Sequence, residues 1–404
     1  MRSRSVGLLV GSAILISLIL MSLSGCREAD APMAMEPEAA VAAATAALAF
    51  AGVSAGESHT CGVTTDNRAY CWGRNADGEL GDGTTNDRNT PVAVVGGLRF
   101  IQVSAGFSTT CGVTTDHRAY CWGFNLLGEV GDGTTENRDL PVAVVGGHKF
   151  SQIEANFEHT CGLSYPDNKA YCWGSNEEGQ LGIGTNDGVP HSTPLPVSGG
   201  LTFRRLTAGY NHSCGVTTSD KIYCWGLNTN GQLGDGTDVV RRKTPRLVTG
   251  GLAFSWVDAG ANHTCGITTD AHAFCWGYGK DGERGDGSVT ERIRIPRAVL
   301  GGHLFTRVSA AVFHTCGVTP SNQAWCWGLN INGELGDGTT IFNRLTPRLV
   351  AGGLALNQVS AGAFHTCGRT TASVGYCWGN NVSGELGNGT TSVSLKPSPV
   401  SGPN

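Results

Sequence analysis

Seven pairs of cysteines recur along this chain, and the two members of each pair stand about ten residues apart. The first pair lies in the stretch HTCGVTTDNRAYCWG, which runs from His59 to Gly73. Cysteines could ligate zinc, carry out redox chemistry or form structural disulfides. The geometry imposed by the residues between them decides among these.

The spacing favours disulfides across hairpins. Nine residues separate Cys61 from Cys71, with Asp66 at their midpoint, so a hairpin about TDN places the two cysteines opposite each other. The Cβ atoms of opposed residues lie ~4.5–5.5 Å apart, close enough for a disulfide after modest strand adjustment. Zinc sites favour C-x2–4-C spacing, and no thioredoxin-like CxxC occurs. The predicted pairs are Cys61–Cys71, Cys111–Cys121, Cys161–Cys172, Cys214–Cys224, Cys265–Cys275, Cys316–Cys326 and Cys367–Cys377.

The cysteine pairs belong to a unit of 50 to 53 residues, with the consensus LxFxxVSAGxxHTCGVTTDxxAYCWGxNxxGELGDGTTxxRxTPxxVxGG. Short apolar segments alternate with Gly, Asn and Asp clusters, which indicates four strands per unit. A period of this length is typical of propellers and solenoids. We therefore predict an all-β protein, a seven-bladed β-propeller of four-stranded blades with one hairpin disulfide per blade. The repeats are expected at about 48–97, 98–147, 148–200, 201–251, 252–302, 303–353 and 354–404.

The unit resembles the regulator-of-chromosome-condensation repeat, which is marked by GxxHT, WG and NxxGxLG. All three signatures appear in most units, over about residues 48–404. Thr109, Ala311 and Ile183 depart from the pattern in the second, sixth and third repeats. The resemblance implies the propeller fold.

The closure of the ring is a separate expectation. If blades are offset from the repeats, the Pro399–Val400 segment shares a sheet with strands of the amino-terminal repeat. Such a ring leaves no exposed edge strand.

The amino terminus has the pattern of an export signal. Arg2 and Arg4 precede an apolar run that continues to about Leu23, and the stretch LSGC ends at Cys26. LSGC resembles the lipobox of bacterial lipoproteins, in which the signal is removed before the cysteine and its sulfur carries a diacylglycerol. An uncleaved span is the alternative, because 18 mostly apolar residues are at the short end of what crosses ~30 Å.

This pattern defines the expected domains and location. Residues 1–25 are a lipoprotein signal peptide, and residues 26–47 are the lipidated Cys26 with a flexible Ala-, Pro- and Glu-rich tether. Fifteen cysteines fit an oxidising compartment. We expect an exported monomer, lipid-anchored to the bacterial cell envelope, at the outer membrane if the organism is Gram-negative.

Repeated histidines and aspartates raise the question of metal binding. The histidines would be too far apart around the ring to share one ion, which favours hydrogen bonds between blades. The aspartates of GDGTT lack EF-hand spacing, and Asp side chains bond their own turns. We expect no metal and no cofactor, with calcium at these loops as the open alternative. The residues are His59, His159, His212, His263, His314 and His365, and Asp82, Asp132, Asp235, Asp286 and Asp337.

Composition and motifs narrow the function classes. A net charge of −5 offers no basic footprint for nucleic acid. HExxH and P-loop motifs do not occur. We therefore expect no catalysis and a binding scaffold for an unidentified protein, with a glycan as the alternative ligand. A structural envelope component and a carbohydrate-active enzyme are the other classes.

The resemblance implies further comparisons with roles known in that family. Nucleotide exchange on a small GTPase needs a nuclear or cytosolic partner, which an exported protein would not meet. UV-B sensing uses tryptophans in the variable positions of GxxHT, where this chain has none. A secreted bacterial member inhibits β-lactamases through loops on one face. The tryptophans of CWG are expected in blade cores: Trp72, Trp122, Trp173, Trp225, Trp276, Trp327 and Trp378.

The two residues before HTC vary among repeats and are candidates for a binding face. They follow SAG, so seven such connections should surround one end of the central channel. Aromatic residues dominate binding hot spots when they can be buried. Packing of these rings on neighbouring blades is the alternative. The predicted face contains Glu57, Phe107, Phe157, Tyr210, Asn262, Phe313 and Phe364.

Overall fold

The computed structural model describes residues 47–403. Seven antiparallel sheets each contain four consecutive strands, which confirms the all-β propeller of four-stranded blades. The predicted signal peptide, Cys26 and nearly all of the predicted tether lie outside the described residues. Within residues 47–403 no helix has the length and apolar character needed to cross a membrane.

Each blade, numbered in chain order, lies within one predicted repeat. Blade 1 has strands Phe50–Ala55, His59–Thr64, Ala69–Gly73 and Arg88–Ala93; blade 2, Phe100–Ala105, Thr109–Thr114, Ala119–Gly123 and Arg138–Ala143; blade 3, Phe150–Ala155, His159–Ser164, Ala170–Gly174 and His191–Pro196; blade 4, Phe203–Ala208, His212–Thr217, Ile222–Leu227 and Arg241–Leu247. Blade 5 has Phe254–Ala259, His263–Thr268, Ala273–Tyr278 and Arg292–Ala298; blade 6, Arg307–Ala310, His314–Val318, Ala324–Leu329 and Asn343–Leu349; blade 7, Leu356–Ala361, His365–Thr370, Gly375–Gly379 and Ser394–Pro399.

The second and third strands of each blade form the predicted hairpin. In blade 1, Cys61 pairs with Cys71 in the strand register, and their Cα atoms lie 4.1 Å apart. The turn closes through Asn67, whose φ of 66° is one that Asn tolerates better than most residues. All seven predicted disulfides are present, one in each blade. The cysteines therefore brace hairpins.

The hydrophobic core lies between neighbouring blades. The Cys61–Cys71 disulfide and Leu80 of blade 1 pack against Phe100 and Trp122 of blade 2. Trp122 is fully buried, and its indole N–H donates to the backbone oxygen of Glu79 at 2.8 Å. The equivalent bond occurs at all seven interfaces, so the CWG tryptophans are core, as predicted. Burial of this apolar surface is the main force that holds blades together.

The repeated histidines connect neighbouring blades. His59 Nε2 lies 2.8 Å from the hydroxyl of Thr110 in blade 2, and that hydroxyl donates to the Glu79 backbone oxygen. Six blades make this contact, which confirms the predicted hydrogen-bonding role. In blade 2, Thr109 bonds Phe124 of its own blade, so the contact to blade 3 is missing.

The aspartates of GDGTT stabilise their own loops. Asp82 Oδ1 accepts hydrogen bonds from the backbone and hydroxyl of Thr84, at 3.0 and 2.7 Å. Its other oxygen accepts two from Arg88, at 3.0 and 2.9 Å. These contacts confirm the expected bonding of the turn. The part of the chain that the structure describes contains no group of three or more His, Cys, Asp or Glu positioned to hold a metal ion.

The ring closes without strand exchange, so the predicted sharing of a sheet by Pro399–Val400 and the amino-terminal repeat is wrong. Ser394–Pro399 pairs with Gly375–Gly379 inside blade 7. Side chains at the junction of blades 7 and 1 make the bonds found elsewhere: His365 Nε2 lies 2.8 Å from the Thr60 hydroxyl. Because the interface of blades 7 and 1 has the tryptophan and histidine bonds that join other neighbouring blades, it needs no shared strand.

Candidate binding face and central channel

The first strands of the blades surround a central channel, and one end of that channel carries the variable residues. Antiparallel order places the connections between first and second strands at the same end as the loops between third and fourth strands. Arg74 in such a loop donates to the Ser108 hydroxyl in such a connection, at 3.0 Å. We call this end of the propeller the mouth face.

Close approach of the blades fixes the connections at the mouth face. A Cβ atom on Gly56 would lie 2.3 Å from the backbone oxygen of Gly106, so only glycine fits there. The next residue, Glu57, donates its backbone N–H to that oxygen at 3.0 Å. The residue after SAG is therefore held beside the axis.

The predicted face separates into two groups. Glu57, Phe107 and Tyr210 line a pit of about 60 Å³ at the axis. Phe157 packs edge-on against Phe107, with ring centroids 4.7 Å apart, and stacks on Tyr210 at 4.6 Å. We call Phe107, Phe157 and Tyr210 the aromatic cluster. All three rings are half-buried, so part of each remains accessible.

The remaining predicted residues lie one position later in their connections. Phe313 and Phe364 pack together with centroids 5.5 Å apart. Asn262 accepts a hydrogen bond from Asn230 of blade 4, the preceding blade, at 3.1 Å. The residues of the predicted face, which all lie just before HTC or its equivalent in their repeats, thus occupy two different environments.

Two polar groups at the pit have shifted pKa values. Burial raises the pKa of Glu57 to about 7, while Arg74 opposes this increase and Glu79 adds to it. Burial also raises the pKa of the Tyr210 phenol, and the Glu57 carboxylate adds to it. A partner that covered this pit would further disfavour the charged form of Glu57 unless it supplied a cation.

Exposed apolar side chains also lie on the mouth face, and sequence reasoning missed them. In blades 4 to 7 the loops between third and fourth strands carry Val239, Val289, Phe342 and Val393 where blade 1 has Asp87 and its neighbours. Phe342 is 60% exposed. The sequence carried a signal for these side chains. Apolar residues follow GDGT or its equivalent in repeats 4 to 7, whereas polar residues follow it in the first repeats. Apolar surface in the variable loops of one face is typical of an interaction surface.

The channel itself has a volume of about 330 Å³ and a repeated lining. The Gln102 side chain reaches blade 3. Its Nε2 donates to the backbone oxygen of Ile153 at 2.8 Å, and its Oε1 accepts from the Ile153 N–H at 3.1 Å. Two positions later, the Ser104 hydroxyl accepts from Ala155 N–H at 3.1 Å. These side chains replace the backbone bonds that the inner strands lack between blades.

Blades 3 to 6 depart from that lining, and the repeat consensus did not predict this departure. Glu154 and Asp258 stand at the serine position, and Arg205, Trp256 and Arg307 stand at the glutamine position. Burial raises the pKa of Glu154 to about 7, against Arg205 and the Gln152 amide, which lower it. Comparison of the repeat units at these two positions would have found all five residues.

This architecture, seven disulfide-braced blades around a polar channel with a variable mouth, defines a repeat-built β-propeller. The chain belongs to the RCC1-like family. It matches the RCC1-like domain over residues 143–404, and the regulator of chromosome condensation (RCC1) repeat over 50–79, 100–129, 66–113 and 116–163.

Named relatives share the repeats at moderate identity. The ultraviolet-B receptor UVR8 of Arabidopsis thaliana is 28% identical over 352 residues, which are 85% of this chain and 68% of the receptor. The E3 ubiquitin-protein ligase HERC2 of Homo sapiens is 30% identical over 244 residues, 58% of this chain but only 5% of the ligase. The chain therefore corresponds to a small part of that ligase.

Solved structures share the fold. Prp20p from Saccharomyces cerevisiae is 19% identical, with a TM-score of 0.74 over 84% of this chain and 87% of that one. Human WBSCR16 is 20% identical, with a TM-score of 0.71 over 78% and 84%. At such identities the likeness concerns the fold alone.

Proposed function

We propose that this protein is an extracytoplasmic, membrane-anchored scaffold that binds a protein partner through the mouth face, without catalysis. The observation that carries the proposal is the aromatic cluster, whose half-buried rings lie on the same face as the exposed apolar loop residues. Rings that keep accessible area on a rigid frame can become hot spots with little loss of conformational entropy.

The relatives support protein binding as the class of function. The Prp20p structure was described together with binding properties to Gsp1p and histones, and yeast RCC1 has been crystallised bound to Kap60. Those partners belong to those proteins. For this chain we infer only that a protein, rather than a small substrate, is the main ligand of the mouth face.

The disulfides support the proposed location. Seven buried disulfides form and persist where thiols are oxidised, as outside the cytoplasm. The LSGC stretch ending at Cys26 supports lipid attachment to a bacterial envelope. We propose a monomer held at the membrane through residues 26–47, at the outer membrane in a Gram-negative cell.

Replacement of Cys26 tests the anchor. We expect Cys26→Ser to release protein into soluble fractions or to leave uncleaved precursor, because Cys26 is the only cysteine outside the seven pairs. Membrane fractionation with mass measurement of the mature chain reports both results. Unchanged partitioning and processing would contradict lipidation.

Crosslinking on intact cells tests the partner. We expect one or a few envelope proteins to be crosslinked to the mouth face in a saturable manner, as judged by mass spectrometry of the linked peptides. A structural component would give unsaturable, non-specific crosslinks spread over the surface, and that outcome would contradict the scaffold proposal.

A further inference from the structure

Three of the five unusual channel residues keep the structural role of the residue they replace. Arg205 Nε donates to the Val257 oxygen at 3.1 Å, and Trp256 Nε1 donates to the Val308 oxygen at 2.9 Å. Asp258 Oδ2 accepts from Ala310 N–H at 2.9 Å, as serine does in other blades. The packing of the ring explains these three side chains.

Arg307 is different. It occupies the glutamine position of blade 6, yet among residues 47–403 its guanidinium makes neither the bond to the next blade nor an ion pair. The residue is exposed to the channel, which it lines. A charged group whose donors make no hydrogen bond or ion pair at the joint between blades is free to bind a ligand.

Other guanidinium groups lie close to Arg307. The Trp256 ring centroid is 3.4 Å from the Arg205 guanidinium carbon and 5.3 Å from that of Arg307, so two cations share one indole. Arg369 of blade 7 stands where other blades have an apolar core residue, and its Nε is buried without a hydrogen-bond partner among the described residues. Burial lowers the pKa of Arg369, and the charge of Arg307 lowers it further.

Negative charge near these arginines is limited. The carboxylate of Asp258 lies 4.0 Å from Arg205, at the limit of an ion pair. Since burial raises the pKa of Glu154 to about 7, that group is largely protonated in mildly acidic solution. In addition to burial, the charge of Arg307 lowers the pKa of both Arg205 and Arg369, and among the described residues only Arg205 of these three has a carboxylate within 4.0 Å. A bound anion beside Arg307 would relieve this repulsion.

We propose that the central channel binds a small oxyanion, whose carboxylate or phosphate oxygens accept hydrogen bonds from Arg307. The planar guanidinium fork matches both groups. The channel volume of about 330 Å³ falls within the range of small-molecule sites. This site is separate from the mouth face and does not depend on the proposed function.

Isothermal titration calorimetry of the full mature chain tests the proposal with two probes, inorganic phosphate and succinate, at an ionic strength held constant with sodium chloride. We expect saturable binding of at least one of them. The decisive variant is Arg307→Gln, since glutamine occupies this position in blades 2, 3 and 7 and bonds the next blade there. Its melting temperature without anion should match or exceed that of the parent, and its affinity should fall at least tenfold.

Two further variants complete the test. Arg348→Gln removes an exposed arginine of an outer strand and should leave the affinity unchanged. Arg307→Lys keeps the charge without the fork, and should bind more weakly than the parent but more tightly than Arg307→Gln. Saturable binding by neither anion, or equal affinity in Arg307→Gln and the parent, would overturn the proposal.

Discussion

At the scale of single residues, blade 5 shows how two departures from the repeat compensate for each other. Other blades have an Asn and a Leu or Val in NxxGEL, and Asn75 Oδ1 accepts from Leu80 N–H at 2.9 Å. Blade 5 has Gly279 and Arg284 instead. The buried Arg284 guanidinium fills the space of the missing amide and donates to the backbone oxygens of Gly277 and Thr290, at 3.1 and 2.7 Å.

A double-mutant cycle at this pair should show strong coupling. Gly279→Asn alone should lower the free energy of unfolding by about 2–3 kcal/mol, because a Cβ there would lie 1.9 Å from Arg284 Nη1. Arg284→Leu alone should cost about 2 kcal/mol by leaving the Gly277 and Thr290 carbonyls and the Asp286 carboxylate without this donor. The double variant recreates the Asn–Leu pair of blade 1 and should recover most of the loss. Additive losses in urea denaturation would contradict this account.

At the scale of strands, the repeat sequence predicted much of what the structure contains. The hairpin register followed from nine residues centred on a turn, because antiparallel pairing allows only one partner for each cysteine. The way the ring closes was mispredicted, because the sequence of the last repeat does not show whether its fourth strand pairs within blade 7 or with blade 1. The two environments at the mouth also could not be predicted, because side-chain direction in a three-residue connection depends on how neighbouring blades approach.

Truncation tests the role of the last strand. Deletion of residues 395–404 removes the fourth strand of blade 7 and Val400, which is buried with Phe50 and Trp72 of blade 1. We expect the melting temperature to fall by several degrees, because the deletion removes strand hydrogen bonds and buried apolar surface worth several kcal/mol, and about 1 kcal/mol corresponds to roughly 1–2 °C in a domain of this size. Deletion of residues 402–404 is the control and should have little effect. A change of only a degree or two in the longer deletion would refute the role of this strand.

At the scale of the whole molecule, buried ionisable groups make stability depend on pH in two opposed ways. Burial lowers the pKa of His59 to about 3, and the other five repeated histidines are similar. Below pH 6.5 the unfolded chain therefore binds more protons at histidine, and stability falls. Burial raises the pKa of Glu57, Glu129, Glu154 and Glu283 to about 7, so protonation between pH 7 and 4.5 stabilises the fold.

The free energy of unfolding should thus change little from pH 7 to about 4.5 and fall steeply from pH 4.5 to 3. In the lower range the glutamates become protonated in both the folded and the unfolded chain, so that among these groups only the buried histidines still destabilise the fold. His59→Thr, which copies Thr109 of blade 2, removes one such group. Its slope below pH 4.5 should be shallower by up to about 1.4 kcal/mol per pH unit. Urea denaturation with intact disulfides at a series of pH values measures both slopes. Identical slopes would show that the histidines are not held neutral.

The central claim is that the mouth face binds a partner through the aromatic cluster. The most direct measurement is saturable capture of the crosslinked envelope partner by immobilised protein, compared for the parent and the combined variant Phe107→Ala, Phe157→Ala and Tyr210→Ala. Tyr165→Ala, which removes an exposed ring at the opposite end, is the matched control. We predict that the combined variant loses capture while its melting temperature stays within a few degrees, and that the control binds like the parent. Undiminished capture by the combined variant, or a loss of capture matched by a large loss of thermal stability, would contradict the claim.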